Sequence, residues 1–253
     1  MEPKSKFRIF TFTNSHLASE FVAKIIAEKI KKKPHLVLGL PTGNSPKELY
    51  QILTSLDLDW SNVITFNLDE YQELPLSRKE SYHSYMDKFL FNRINIKKEN
   101  TFFPLSRHNR FLGQGYDLLI KEKGAIDLQI LGVGVNGHIG FNEPGTSFDS
   151  LTHVTKLELS TRIANKEDFS SLEAVPHSAV TAGIQTIMAA KEIILLAFGK
   201  KKSEIVYRFL TSTLDEKIPA TVLKQHSNFT LILDEEAGKK FFSIGVWKNQ
   251  KER

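Results

Sequence analysis

The segment I-D-L-Q-I-L-G-V-G-V-N-G-H-I-G-F-N-E-P-G, residues 126–145, joins an apolar run to a glycine-rich loop. Residues 126–131 have the length and branching of a strand buried on both faces. The glycines permit positive φ and close approach of a ligand, and they bring His138 and Glu143 near each other. Because open α/β sheets bind ligands at the carboxyl ends of their strands, this pair is predicted to lie in a binding crevice.

This loop has two other possible interpretations. The G-x-G-x-x-G spacing from residue 132 matches the dinucleotide fingerprint, which must open a helix and be followed by an acid about 20 residues on. Gly140 and Pro144 would break that helix, and Glu158 ends no clear strand, so nicotinamide or flavin binding is not favoured. A plain turn with a solvated histidine is the simpler alternative, and the nearby carboxylate argues against it.

Composition limits the class of protein. The chain has 253 residues, of which 41% are hydrophobic, and this suits one α/β domain spanning residues 1–253. It has no cysteine, no apolar run of about 18 residues and no signal-peptide pattern, so we expect a cytoplasmic protein without disulfides. The net charge of +5 comes from scattered lysines, which predicts no nucleic-acid or membrane partner. The oligomeric state is left open.

Strands and helices alternate along the chain, and the strands are nearly continuous apolar runs. This order is typical of a three-layer, Rossmann-like α/β fold with a doubly wound, mostly parallel sheet. An exposed strand is predicted at residues 151–160 and a mobile lid at 161–176. Strands are predicted at residues 7–12 and 229–233, and buried strands at 36–40, 62–67, 126–131 and 192–198. Helices are predicted at 17–31, 47–56, 82–91, 113–123 and 179–190.

A second loop of small residues follows the strand at residues 36–40 and precedes a helix. It comprises Thr42, Gly43, Asn44 and Ser45, with Ser45 predicted as the helix N-cap and Pro46 as the first helical residue. Free backbone N–H groups and the helix dipole make such a junction an anion site. It is not a Walker A loop, and an ordinary βα turn remains the alternative.

Two further loops carry charge at the same predicted edge of the sheet. Asp69 and Glu70 follow the strand at residues 62–67, and alternation allows only one of them to point inward. A turn or cap role for Asp69 is the alternative. Lysines 200–202 follow Gly199 at the start of a helix, which suits a phosphate but is also common on solvated surfaces.

Together these loops predict a phosphate cradle, one acid and a histidine beside a second acid. A carboxylate that removes a proton from carbon, with an imidazole that moves protons on oxygen, suits aldose–ketose isomerisation. A metal site is not favoured, because the spacing of His138 and Glu143 matches no common zinc pattern.

Three motifs in order resemble the glucosamine-6-phosphate deaminases of the glucosamine/galactosamine-6-phosphate isomerase family. They are L-G-L-P-T-G-N-S-P (residues 38–46), F-N-L-D-E-Y (66–71) and G-V-N-G-H-I-G-F-N-E-P (134–144), and the likeness spans nearly the whole chain. The related 6-phosphogluconolactonases share a G-x-x-G-H core, but in them a different sequence follows the histidine. In this chain the residues after the histidine, I-G-F-N-E-P (139–144), are similar to the deaminase form.

The resemblance implies a cofactor-free conversion of D-glucosamine 6-phosphate and water to D-fructose 6-phosphate and ammonia. It implies that His138, oriented by Glu143, opens the sugar ring, and that Asp69 moves a proton from C2 to C1. The substrate would be bound by Thr42, Gly43, Asn44 and Ser45 of the loop and by the basic residues Arg162, on the lid, and Lys202.

The sequence departs from some members of that family. Asn136 stands where some place an aspartate beside the histidine, so it positions by hydrogen bonding without adding charge. Some relatives are hexamers that N-acetylglucosamine 6-phosphate activates through basic residues shortly after the Glu-Pro motif. Residues 145–155 of this chain hold no Arg or Lys, so we expect no such activation. The alternatives are a galactosamine-6-phosphate deaminase and a non-catalytic sugar-phosphate sensor. The sensor is disfavoured because no helix-turn-helix segment is visible and because both Asp69 and His138 are present.

Overall fold

The computed structural model describes residues 6–72, 74–105 and 113–244. The strands in these ranges are β1 (Lys6–Phe12), β2 (Val37–Leu40), β3 (Ile64–Asn67), β4 (Asp69–Tyr71), β5 (Thr101–Phe102), β6 (Leu128–Gly132), β7 (His153–Lys156), β8 (Ser178–Thr181), β9 (Ile193–Ala197) and β10 (Asn228–Asp234). The α-helices are α1 (Ser15–Lys32), α2 (Lys47–Ser55), α3 (Tyr82–Phe89), α4 (Gln114–Glu122), α5 (Leu159–Asn165), α6 (Ile184–Met188), α7 (Ser203–Thr211) and α8 (Glu235–Ser243). Short 3-10 helices lie at Phe91–Arg93, Lys98–Asn100, Lys166–Asp168, Lys200–Lys202 and Pro219–Gln225.

Seven strands form one parallel sheet in the order β1-β10-β9-β6-β2-β3-β5. Chain order runs outward from β2 to β5, returns to β6 and then runs outward in the other direction. The reversal lies between β2 and β6, where Leu38 pairs with Leu128. Loops after these two strands therefore flank the switch point at which open α/β sheets bind ligands.

Helices cover both faces of the parallel sheet. Leu128 and Ile130 of β6 belong to a core cluster with residues of α1, α2 and α3, whereas Leu131 belongs to a second cluster with residues of α4, α7 and α8. Alternate side chains of one strand thus enter opposite cores, which explains why the strand is apolar throughout. The predicted three-layer, doubly wound α/β fold is confirmed.

A second, antiparallel sheet with the strand order β4-β8-β7 was not predicted. The helix expected at residues 179–190 is wrong at its start, because residues 179–181 lie in β8 and helix α6 covers only Ile184–Met188. Strand pairing with β4 and β7 on either side overrides the local pattern of this short segment. The strand expected at 151–160 is confined to β7, since α5 begins at Leu159.

The start of α2 also differs from expectation. Pro46, with φ −87° and ψ −4°, occupies the N-cap position, and Ser45 does not cap the helix with its side chain. Backbone carbonyls close this first turn instead, because Asn44 accepts from the amide of Lys47 at 3.4 Å and Pro46 accepts from that of Tyr50 at 2.9 Å.

Part of the predicted lid is regular structure, since α5 and the 3-10 helix Lys166–Asp168 occupy its first half. None of the helices in the described parts of the chain combines the length and hydropathy that crossing a bilayer requires.

Candidate active site

The loops at the carboxyl ends of the parallel strands line one cleft of about 1330 Å³. Its wall includes residues 41–45 after β2, Asp69 after β3, residues 132–135 after β6 and residues 199–202 after β9. Four segments that are far apart in sequence meet there because parallel strands all end at the same edge of a sheet.

His138 lies in this wall and is backed by a carboxylate. Its Nδ1 is 3.4 Å from Glu143 Oε2 and 3.4 Å from Thr161 Oγ1. Asn136 donates from Nδ2 to Glu143 Oε2 at 2.9 Å, and its Oδ1 accepts from the His138 amide at 3.2 Å. No residue in the described ranges hydrogen bonds to Nε2 of His138, so this nitrogen is left for a ligand. Asn136 therefore ties the imidazole and its carboxylate together.

Glu143 is ionised in this arrangement. Burial opposes its ionisation, but the hydrogen bond and charge of His138, together with hydrogen bonds from Thr161 and Asn136, lower its pKa below the ordinary value. A buried carboxylate that stays charged beside a ring nitrogen orients the imidazole and stabilises its protonated form.

Glycine is required at two positions of the loop. A Cβ added to Gly134 would lie 2.2 Å from Cε1 of the His138 ring, so the ring rests directly on this backbone. Gly140 has φ +56°, and a Cβ there would lie 2.8 Å from Thr181 Oγ1 and 3.4 Å from Asp69 Oδ2. The absence of side chains at both glycines lets the imidazole and the Asp69 carboxylate approach the loop backbone.

Asp69 begins β4, is only 6% exposed and lines the cleft. Its carboxylate accepts no hydrogen bond from any residue that the structure describes. Burial and, secondarily, the charge of Glu70 raise the pKa of Asp69 to about 8. A carboxyl group of this kind gains and loses its proton near neutral pH, which is what a general base requires.

Glu70 points away from the cleft, as expected from alternation along an extended segment. Its carboxylate is fully buried and accepts from the amides of Tyr71, Tyr82 and His83 at 2.9–3.0 Å. It also contacts Nδ1 of His83 at 2.7 Å. Glu70 thus binds the amino end of α3 and holds that helix against the strand that carries Asp69.

Two tyrosines hold the carbonyl groups of the loop after β2. The hydroxyl of Tyr50 donates to Pro41 O at 2.5 Å, and that of Tyr85 donates to Gly43 O at 2.6 Å. Thr42, Gly43, Asn44 and Ser45 all line the cleft. Because the carbonyls of residues 41 and 43 are bound to helix side chains, the loop is held in one conformation beside the start of α2.

The lysine turn at residues 199–202 closes the other side of the cleft. Gly199 has φ +83°, and its amide donates to both carboxylate oxygens of Asp234, at 3.0 and 2.8 Å. Lys202 is half-buried in the cleft wall and forms no ion pair with a described residue. Burial, and after it the charge of Lys201, lowers the pKa of Lys202. An ammonium without a counterion is suited to bind an anion.

Arg162 lies on α5 but is not part of the cleft wall. Its guanidinium donates to the carbonyl of Leu172 at 2.8 Å and to that of Val175 at 3.0 and 3.3 Å. In this conformation it therefore braces residues 159–175 internally. Of the residues proposed from the sequence, Asn136 and Glu143 also lie behind the wall, where they support His138.

No sequence motif marks Thr161, Tyr85 or Asp234 as a site residue. Each reaches the site through a hydrogen bond to a distant part of the chain, which no local pattern indicates. Within the described ranges, no group of three or more His, Cys, Asp or Glu side chains is placed to hold a metal ion.

Comparisons with known proteins agree with this architecture. The model of the glucosamine-6-phosphate isomerase/6-phosphogluconolactonase family matches residues 13–232. A glucosamine-6-phosphate deaminase of Halalkalibacterium halodurans is 47% identical over 224 residues, covering 86% of this chain and 91% of the relative. That of Mycoplasma mycoides subsp. mycoides is 42% identical over 242 residues, covering 94% and 98%.

Solved structures of the same family are also similar to this chain. A monomeric glucosamine-6-phosphate deaminase has a TM-score of 0.89 at 41% identity and covers 92% of this chain and 99% of its own. A 6-phosphogluconolactonase of Thermotoga maritima has a TM-score of 0.72 at 22% identity, covering 90% and 100%, and shares the fold. This chain therefore belongs to the glucosamine-6-phosphate isomerase/6-phosphogluconolactonase family.

Proposed function

We propose that this chain is a glucosamine-6-phosphate deaminase, which converts D-glucosamine 6-phosphate and water to D-fructose 6-phosphate and ammonia. The observation that carries the proposal is the presence, in one cleft, of a buried carboxylate with a raised pKa and an imidazole backed by a second carboxylate. The relatives at 42–47% identity bear this name and cover most of both chains, which favours the same substrate here.

In this proposal the phosphate group of the substrate lies between the loop after β2 and the lysine turn. Backbone amides of Thr42, Gly43, Asn44 and Ser45 donate to its oxygens, and the ammonium of Lys202 supplies charge. Arg162 joins them only if its guanidinium leaves the carbonyls of Leu172 and Val175, which requires the segment around α5 to rearrange. Anchoring the phosphate orients the sugar ring toward Asp69 and His138.

Ring opening is assigned to His138. The imidazole takes the proton from the O1 hydroxyl and returns it to the ring oxygen O5, so the C1–O5 bond breaks and an open-chain aldehyde forms. Glu143 stabilises the imidazolium during this transfer, and Asn136 keeps Glu143 in place.

Isomerisation is assigned to Asp69. Its carboxylate removes the proton from C2 while O1 gains a proton, and this gives an enolamine. The carboxyl group then returns the C2 proton to C1 while the amino group loses one proton, so that the net change also moves one proton from nitrogen to O1 and yields fructosimine 6-phosphate. Water then adds to the imine carbon, and ammonia leaves as fructose 6-phosphate forms. The atoms balance with water as the co-reactant, so this route needs no cofactor.

The test is ammonia release from glucosamine 6-phosphate by the wild-type chain and by Asp69→Asn. We expect the variant to lose about 10²–10⁴-fold in kcat, because it removes a general base. It should still bind substrate but no longer exchange the C2 hydrogen with deuterium. Asp57→Asn, an exposed carboxylate outside the cleft, is the matched control and should retain wild-type rates.

Three outcomes would contradict the proposal. Absence of ammonia release by the wild-type chain would rule out the deaminase assignment. C2 exchange that survives in Asp69→Asn would show that another group is the base. Faster release from galactosamine 6-phosphate in a parallel assay would assign the other epimer as substrate.

A further inference from the structure

Asp234 places a negative charge in the wall of a cleft for which we propose a phosphate ligand. It is the last residue of β10, is 7% exposed and lines the cleft beside the lysine turn. A carboxylate in this position repels a phosphate by charge alone. Its hydrogen bonds give a physical reason for its presence.

Both oxygens of Asp234 are bound to backbone amides. The amide of Gly199 donates to Oδ1 at 3.0 Å and to Oδ2 at 2.8 Å, and the amide of Ala237 donates to Oδ1 at 2.8 Å. The first contact joins β10 to the turn after β9, and the second caps α8. A single side chain therefore fixes the starts of two neighbouring loop–helix junctions.

The Gly199 contact determines where the lysines lie. Gly199 has φ +83°, a conformation that the bifurcated hydrogen bond to Asp234 stabilises. Its carbonyl then accepts from the amide of Lys202 at 2.9 Å, which closes the 3-10 helix Lys200–Lys202. The side chain of Asp234 thus holds Gly199, and the closed turn that begins at Gly199 sets the position of Lys202.

We propose that Asp234 is a positioning residue for phosphate binding, acting by holding the lysine turn in the conformation that directs Lys202 into the cleft. This proposal rests on the proposed function for the identity of the substrate, but not for the presence of an anion site. It assigns a contribution to substrate affinity and none to the proton transfers at C1 and C2.

A positioning role and a purely electrostatic role predict opposite changes in phosphate affinity when the Asp234 carboxylate is removed. If Asp234 acted only through its charge, its removal would strengthen phosphate binding. If it holds the lysine turn, its removal weakens phosphate binding although the cleft becomes more positive. The direction of the change in affinity therefore separates the two roles.

The experiment uses Asp234→Ser in the full chain. Serine is a good N-cap, so it retains the hydrogen bond to Ala237, but its single short hydroxyl cannot hold the Gly199 amide as well. We expect the KM for glucosamine 6-phosphate and the Ki of inorganic phosphate to rise about tenfold with kcat nearly unchanged. The Tm should stay close to that of the wild type, which shows that the cap of α8 is kept.

Asn14→Ala is the matched control. Asn14 caps α1 by accepting from the amide of Leu17 at 3.0 Å, and its side chain has no hydrogen bond to the lysine turn among the residues that the structure describes. Its loss should lower Tm through the lost cap while KM and the Ki of phosphate stay at wild-type values.

A KM and a Ki that fall or stay constant in Asp234→Ser would overturn the proposal, as would a loss confined to kcat. Calorimetric titration with inorganic phosphate separates this result from failure of the proposed function. Weaker phosphate binding by Asp234→Ser supports the inference even if the wild-type chain releases no ammonia. Absence of phosphate binding to the wild-type chain would refute it.

Discussion

Single residues set the chemistry of the cleft through burial and close contact. Asp69 is nearly inaccessible and accepts no hydrogen bond from the described residues, whereas Glu143 is surrounded by donors. The two carboxyl groups consequently differ in pKa, one raised and the other lowered. Environments that separate the pKa values of neighbouring acids assign them different roles, which here are base and orienting anion.

We expect the Asp69 carboxyl group to titrate near pH 8 in the free protein, because burial disfavours its charged form. NMR of protein labelled with ¹³C at the aspartate carboxyl carbons should show one resonance that shifts between pH 7 and 9. The same resonance should be missing in Asp69→Asn. A spectrum in which every aspartate titrates below pH 5 would contradict this expectation.

We expect Gly134→Ala to lose at least about 100-fold in kcat/KM, because the new methyl group would displace the His138 ring that now lies 2.2 Å from its position. Stability should fall by about 1–3 kcal/mol, as is usual for overpacking. Steady-state rates and urea unfolding measure the two effects. In the control Gly115→Ala, the added Cβ meets nothing within 4 Å, and rates should not change.

At the level of secondary-structure elements, helices α2 and α3 act as supports for the site. Tyr50 of α2 and Tyr85 of α3 bind two carbonyls of the loop after β2, while Glu70 binds the amino end of α3. The loop is therefore held rigid by helices that are packed in the core. As a result, phosphate binding costs less conformational entropy than it would with a flexible loop.

We expect Tyr85→Phe to raise the KM for glucosamine 6-phosphate by about three- to tenfold with kcat nearly unchanged, because one hydrogen bond to the Gly43 carbonyl is lost. Initial-rate kinetics measure the change. Tyr207→Phe removes a phenol outside the cleft and is the control. An unchanged KM in Tyr85→Phe would show that the loop keeps its conformation without this contact.

For the whole molecule, the raised pKa of Asp69 links catalysis to stability. Between its ordinary value of 3.8 and about 8, the folded state keeps a proton that the unfolded state has lost. The resulting stabilisation is complete below the ordinary value and is lost as the pH rises through 8. The folded protein therefore bears the cost of a buried charge at the pH where the base is active.

We expect Asp69→Asn to be more stable than the wild type at pH 8.5, because a neutral amide replaces the buried carboxylate. The difference in Tm between the variant and the wild type should grow by at least about 4 °C from pH 5 to pH 8.5. Thermal unfolding in matched buffers measures it. A difference in Tm that is independent of pH would show that Asp69 is not buried as a charged group.

Much of the architecture is encoded in local patterns. Strands buried on both faces must be apolar throughout, so β2, β6, β9 and β10 are recognisable as short runs, and their alternation with helices predicts the parallel sheet. Glycines at residues 134 and 140 indicate a loop whose backbone other groups must approach closely, which in the folded chain are the imidazole of His138 and the carboxylate of Asp69. Residues 42–45, 69, 138 and 202 could be proposed as one cleft because strand ends in such sheets share an edge.

Other features depend on contacts that only the folded chain makes. The antiparallel sheet arises because β8 finds partners in β4 and β7, which lie far from it in sequence. The lysine turn depends on Asp234, which is 35 residues from Gly199. Strand pairing and side-chain hydrogen bonds of this range leave no periodicity in the sequence, whereas burial does. Local sequence therefore specifies what is buried, and tertiary structure decides which polar groups meet.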